Sequence, residues 1–241
     1  MASGNGRKRQ KGRLMIHKDV VGKKLLDLYL EIKNDALFSD YIMGGGTGLA
    51  LQLGHRTSTD IDIFTTTNQD NRDILNRLNE KYNNYYIINI NKSVLEIVIK
   101  NIKIDFIRDN SNILEIPKTE DGITFFGIKD ISAMKLRTIL TRTKSRDFID
   151  IAYLLQKFSL TKMFGYYKKK YNSDDIPLIK MALLKSKQIQ KDEWLKDISM
   201  LKNDIMLENI PVLLEKGLEK YNKKHEIGLN SFFKNIKRLF K

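Results

Sequence analysis

Cysteine is absent from all 241 residues. That excludes disulfides, thiolate metal sites and a cysteine nucleophile together, and it fits cytoplasmic residence. No apolar run approaches the ~20 residues that span a bilayer, and the stretch MASGNGRKRQKGR lacks the apolar segment of a signal peptide. A soluble, unexported chain with no membrane association is expected. The same stretch contains no acid: Arg7, Lys8, Arg9, Lys11 and Arg13 stand unopposed, so residues 1–14 read as a flexible basic arm, native or a cloning remnant. Internal repeats are absent as well.

Apolar residues make up 41% of the chain, enough for a core. At roughly 150 residues per domain the length allows one large domain or two small ones. Net charge is +14, which favours a polyanionic partner. Residues 161–241 hold 18 Lys and Arg against 10 Asp and Glu, and with the arm they supply nearly all of the excess. A lysine-rich proteome that makes every protein basic is the plain alternative.

Helical periodicity in DVVGKKLLDLYLEIKND precedes a short strand at Tyr41–Met43, then glycines and a helix from about Thr47. STDIDIFTT alternates as a strand does, and NQDNRDILNRLNEKY is an amphipathic helix. YYIINI, SVLEIVIK and IKIDFIRD read as three strands, the last two joined in a hairpin at Lys100 and Asn101. Pro117 and Gly122 punctuate a loop before a short strand in GITFFGI. From Asp130 onward helical patterns predominate, among them EWLKDISMLKND, PVLLEKGLEKYNKK and NSFFKNIKRLFK. The pattern predicts an α+β chain: residues 15–129 as a mixed sheet with flanking helices, residues 130–241 as an all-helical C-terminal domain.

The densest chemistry lies in GGGTGLALQLGHRTSTDIDIF, Gly44 to Phe64. Successive strand residues point to opposite faces, so Asp60 and Asp62 share a face about 7 Å apart while Ile61 and Ile63 face the core. Two like charges repel by about 4 kcal/mol at 4 Å and an effective dielectric of 20, which calls for solvation or a cation between them. A hard divalent ion such as Mg²⁺ or Mn²⁺ takes such oxygen ligands, and its usual task beside phosphates is phosphoryl or nucleotidyl transfer. Asp105, between Ile104 and Phe106, is the candidate third carboxylate. Exposed strand aspartates are the structural alternative.

Glycines ahead of a helix let backbone amides approach phosphate oxygens at the positive end of the helix dipole. No Gly-Lys-Ser/Thr follows, so this is not a Walker loop. Leu51 stands where a dinucleotide fingerprint needs its third glycine.

Met43, Gly45, Gly46 and Thr47, then Asp60-Ile61-Asp62-Ile63, then Ile104-Asp105-Phe106, resemble the signature of the DNA polymerase β-like nucleotidyltransferase superfamily. With DISAMKLRTILTRTKSRDFIDIAYLL downstream, residues 40–156 resemble more narrowly the AbiEii-type nucleotidyltransferases, toxin components of type IV toxin–antitoxin and abortive-infection systems. The resemblance implies that Asp60, Asp62 and Asp105 hold metal and that Gly45, Gly46 and Thr47 hold the triphosphate of an NTP. It implies roles for Lys135, Arg146, Asp147 and Asp150 downstream, an RNA acceptor such as a tRNA 3′ end, and an antitoxin partner. Gly48 departs from the alanine the family often carries, and the arm is not a family feature.

The downstream motif also has a physical reading. Ile131, Met134 and Ile139 form a buried stripe beside which Lys135 reaches a cleft, where a lysine neutralises a leaving pyrophosphate. Asp147 and Asp150 share a helix face at i and i+3; they serve the reaction or merely tie two helices together in a surface network. Arg56 and Ser58 contact phosphate, or with His55 fix a turn, the latter favoured for His55. Trp194, Phe232 and Phe233 are expected in the core, and the basic amphipathic last helix packs on its own domain or meets RNA or membrane. The reading is therefore an Mg²⁺-dependent transfer of a nucleoside monophosphate from an NTP to an acceptor hydroxyl, on RNA. A protein nucleotidylyltransferase and a non-catalytic nucleotide- or RNA-binding module are its rivals.

Overall fold

The computed structural model describes residues 15–196 and 198–239, with side chains as far as residue 225. The basic arm and the packing expected of Phe232 and Phe233 lie outside this range. Among the described residues one mixed sheet contains seven strands: β1 (Ile42–Met43), β2 (Ile61–Thr65), β3 (Tyr85–Ile90), β4 (Val94–Ile99), β5 (Ile102–Arg108), β6 (Lys118–Glu120) and β7 (Ile123–Phe125). Their spatial order is β3-β4-β5-β2-β1-β7-β6. The β2–β5 and β1–β7 pairs are parallel and the rest antiparallel.

Alternation fixes the faces. Ile61 and Ile63 of β2 are buried together with Ile104 and Phe106 of β5, in a cluster completed by α1 (Lys23–Lys33) and α3 (Asn71–Lys81). Burying such a side chain stabilises by about 1.5–3 kcal/mol, so a one-residue slip of β2 would forfeit both isoleucines and bury Asp62 in their place. Phe64 and Ile42 point the other way, into a second cluster with α2 (Gly45–Leu53), α4 (Ile128–Thr141), α5 (Ser145–Leu155), α6 (Leu160–Tyr171), α7 (Ile176–Leu184) and the start of α8 (Ile210–Leu239). Asp62 and Asp105 therefore lie on the sheet face that the C-terminal helices cover.

The β4–β5 hairpin turns at Lys100 and Asn101, with φ of 51° and 64°, two consecutive left-handed residues as a tight hairpin requires. Several boundaries differ from expectation. The helix after the glycines starts at Gly45, two residues early, and Asp60 lies just ahead of β2. The loop expected between Pro117 and Gly122 contains β6, a three-residue strand too short to show a period and held by pairing with β7.

The described residues from Trp194 to Met206 form no α-helix, although EWLKDISMLKND has helical spacing. Their backbone is engaged elsewhere: Thr57 N–H donates to the Ser199 carbonyl at 2.8 Å and Leu201 N–H to the His55 carbonyl at 2.9 Å. Trp194 is nonetheless buried, as expected. The last two expected helices run together as α8.

Candidate active site

Asp62 and Asp105 are direct neighbours in the parallel β2–β5 register, and Asp60 enters from the residue before β2. The N-terminus of α2 abuts them. Gly46 N–H donates to Asp62 Oδ2 at 3.2 Å. Gly45 has φ +58°, and a Cβ there would lie 1.9 Å from Asp62 Oδ2, so both its backbone and its empty side require glycine. Burial and the neighbouring Asp62 charge push the Asp105 carboxyl up to about 7. Lys103, two residues back on the same strand face, opposes that shift with its ammonium 2.5 and 2.6 Å from the Asp105 oxygens.

A layer of buried charge closes the cleft from the helical side. Asp150, fully buried, accepts from Arg56 Nε at 2.7 Å and Nη2 at 2.8 Å, from His55 at 2.8 Å, and lies 2.6 Å from Lys135 Nζ. Burial raises its pKa, but the Arg56 and Lys135 charges and the hydrogen bonds from Arg56 and His55 outweigh burial and hold it well below the usual carboxylate range. Asp147 is equally buried, 3.1 Å from Lys135 Nζ and paired twice with Arg142 at 2.8 and 3.0 Å. Burial lowers the His55 pKa, with Asp150 opposing. The ring is therefore neutral, donating Nε2–H to Asp150 and leaving Nδ1 buried without a partner.

Among the residues expected at the site, Gly46, Arg56, Ser58, Lys135 and the three aspartates line one cleft. Gly45 supports it from beneath Asp62. Thr47 is buried, its hydroxyl 2.7 Å from Ser58 Oγ and donating to the Asp60 carbonyl, so it ties α2 to the approach to β2. Asp147, Asp150 and His55 stand behind the cations; the network ties two helices, but in the interior and not on the surface. Arg146 extends to the cleft, 3.5 Å from Asp60.

Lys103 and Arg142 also line the cleft, and sequence reasoning missed both. Lys103 carried a signal, a cation two residues before Asp105 on one strand face. Arg142 carried none beyond its place near the α4–α5 turn.

Among the described residues no group of three or more His, Cys, Asp and Glu is gathered as a ready metal site. Lys103 holds Asp105, and Arg146 approaches Asp60. The donor set nevertheless suits a hard divalent cation: all-oxygen, on adjacent strands, with the raised Asp105 pKa marking where an added positive charge relieves repulsion. Facing it, the α2 N-terminus, Arg56 and Lys135 present positive charge around Gly46. Carboxylates for a cation on one wall and cations for phosphates on the other suit phosphate-transfer chemistry.

Against known proteins, the profile of the family described as nucleotidyl transferase AbiEii toxin, type IV TA system, matches residues 27–216. The chain is 31% identical over 152 residues to an uncharacterized protein of Aquifex aeolicus (strain VF5), covering 61% of this chain and 73% of that one. Among solved structures it resembles JHP933 from Helicobacter pylori, with a TM-score of 0.50 and 18% identity over 88% of this chain and 99% of that one. At that identity the likeness speaks for the fold alone.

Proposed function

The chain belongs to the nucleotidyl transferase AbiEii toxin family of type IV toxin–antitoxin systems, and from that premise we propose that it transfers a nucleoside monophosphate from an NTP to a terminal hydroxyl of RNA, the tRNA 3′ end foremost. In this reaction the acceptor oxygen bonds to the α-phosphorus, the bond from that phosphorus to the bridging oxygen breaks, pyrophosphate leaves and the hydroxyl proton is released. The observation that carries the reading is the pairing of Asp62 with Asp105 across β2 and β5 beside the Gly45–Gly46 start of α2.

Asp60, Asp62 and Asp105 are the residues that would hold Mg²⁺. When bound, the metal supplies charge stabilisation at the attacking and leaving oxygens. The Gly46 region and Ser58 receive the triphosphate, and Lys135 and Arg56 neutralise it from the helical side. Asp147 and Asp150 keep those cations extended and aimed, acting through them. The division of labour follows the chain: residues 15–129 supply carboxylates and the glycine turn, residues 130–241 supply most of the cations. Net charge of +14 supports a polyanionic acceptor over a protein hydroxyl. Blocked translation is the toxic consequence, and an antitoxin is the expected genetic partner.

The test is incorporation of each labelled NTP, with Mg²⁺, into total tRNA and into cell protein, beside Asp62→Asn. Metal-dependent label in RNA, lost in the variant, is expected. Label confined to protein, or none in either, overturns the RNA reading.

A further inference from the structure

Glu96 has no part in the reaction described above, yet the sheet sets it beside the carboxylates. In the register of adjacent strands, Asp62 of β2 stands next to Asp105 of β5, and Asp105 next to Glu96 of β4. Residues paired in register point to the same sheet face, and like charges directly opposite each other destabilise. Asp105 is therefore flanked by acids on both sides, Asp62 on one strand and Glu96 on the other.

Lys103 connects Glu96 to the site. Two residues before Asp105 on the same strand face, it places its ammonium across both Asp105 oxygens at 2.5 and 2.6 Å. Glu96 Oε1 lies 3.8 Å from the same nitrogen, and among the described residues Lys103 is the cation with which Glu96 pairs. A charge-assisted N–H···O bond is about 2.8 Å long, so from 3.8 Å a movement of about 1 Å brings the ammonium onto Glu96. The flexible four-carbon stem of a lysine permits it.

The oxygens that Lys103 holds are those a hard divalent cation takes. An ammonium bonded to both and a metal ion bound to either compete, by charge and by space. Displaced without an acceptor, Lys103 would be left as a partly buried cation repelled by the ion that replaced it. Glu96 offers the acceptor, on the side of Asp105 away from Asp62.

We infer that Lys103 is a positioning residue that holds both Asp105 oxygens before metal binds and yields them by moving onto Glu96. The inference rests on the reading of Asp60, Asp62 and Asp105 as metal ligands and adds how Asp105 is compensated until the metal arrives.

The test is Mn²⁺ binding to the full chain without NTP, read from the EPR signal of the free ion at fixed ionic strength, for wild type, Lys103→Met, Glu96→Gln and the double variant. Lys103→Met removes the competitor and binds Mn²⁺ about tenfold tighter, the scale of one hydrogen bond to a charged group. Lys103→Gln, which keeps a polar side chain on the strand, also binds more tightly than wild type. Glu96→Gln weakens binding, and by a clearly smaller factor once Lys103 is replaced by methionine. A lost negative charge acting on the metal by itself, and not through Lys103, weakens binding by the same factor in both backgrounds.

Unchanged or weaker Mn²⁺ binding in both Lys103 variants overturns the inference, and so does an equal Glu96→Gln factor in the two backgrounds. Either result leaves the metal reading intact where Asp105→Asn weakens Mn²⁺ binding. No binding by the wild type that Asp105→Asn weakens sinks the metal reading and the inference together.

Discussion

Asp150 has its carboxylate buried among Arg56, His55 and Lys135, and it is the acid with which the Arg56 guanidinium pairs. Asp150→Asn leaves the buried guanidinium without its counter-charge, and breaking such a pair costs about 3–5 kcal/mol. The expected outcome is a large drop in urea midpoint. Asp62→Asn instead removes a carboxylate that repels Asp105, so its midpoint holds or rises while nucleotidyl transfer is lost. A fall in stability for both variants would mean that the two aspartates share one structural role.

The same residues set an acid limit. His55 has a lowered pKa in the fold, so below its unfolded value of about 6.5 the unfolded chain binds the proton more readily and stability falls as pH drops. One proton of difference gives up to about 1.4 kcal/mol per pH unit. Asp147 and Asp150, with lowered pKa values, add stability that is full above about 4 and is lost only as pH falls through their folded values. Asp105, its carboxyl raised to about 7, works the other way and gains stability as pH falls through that value, so the two are separated by variant: from pH 8 to 5.5 the urea midpoint of His55→Asn should fall less, or rise more, than that of wild type.

At the scale of elements, the turn that carries His55 and Arg56 is held by an extended segment far along the chain. Met200 bridges antiparallel to Arg56, and the Leu201 N–H bonds the His55 carbonyl. Leu201→Pro removes that donor and leaves the His55 carbonyl only the longer bond from the Lys202 N–H at 3.3 Å, at about 0.5–1.5 kcal/mol. Leu201→Ala keeps the N–H and serves as control. The proline variant should melt at lower temperature and lose nucleotidyl transfer before it unfolds, because Arg56 moves with the turn. Equal melting of the two variants would show that this pairing is incidental.

Across the whole molecule, the cleft lies where the sheet and the C-terminal helices meet, the carboxylates and Lys103 coming from the sheet and Lys135, Arg142 and Arg146 from the helices. A divalent ion that relieves the Asp62–Asp105 repulsion binds the folded state and not the unfolded one, so it stabilises by mass action. Millimolar Mg²⁺ should raise the melting temperature of wild type, and raise it less in Asp62→Asn and Asp105→Asn. A monovalent salt at equal ionic strength controls for screening. No described helix is long and apolar enough to cross a membrane.

The α+β class, the strand carrying Ile61 and Ile63, the hairpin at Lys100–Asn101 and the glycine–aspartate constellation were all legible in the sequence. Each of these is written in local period or in glycine's backbone freedom. Whether EWLKDISMLKND became helix was not local: residues 199–201 gave their hydrogen bonds to the turn at 55–57, and tertiary pairing outweighed propensity. Nor could spacing show that Asp147 and Asp150 lie inside, since i and i+3 places two carboxylates on one helix face without saying what covers it. Their burial follows from the packing of α5 against α4 and the His55–Arg56 turn, because a buried carboxylate persists only where cations from other segments converge on it.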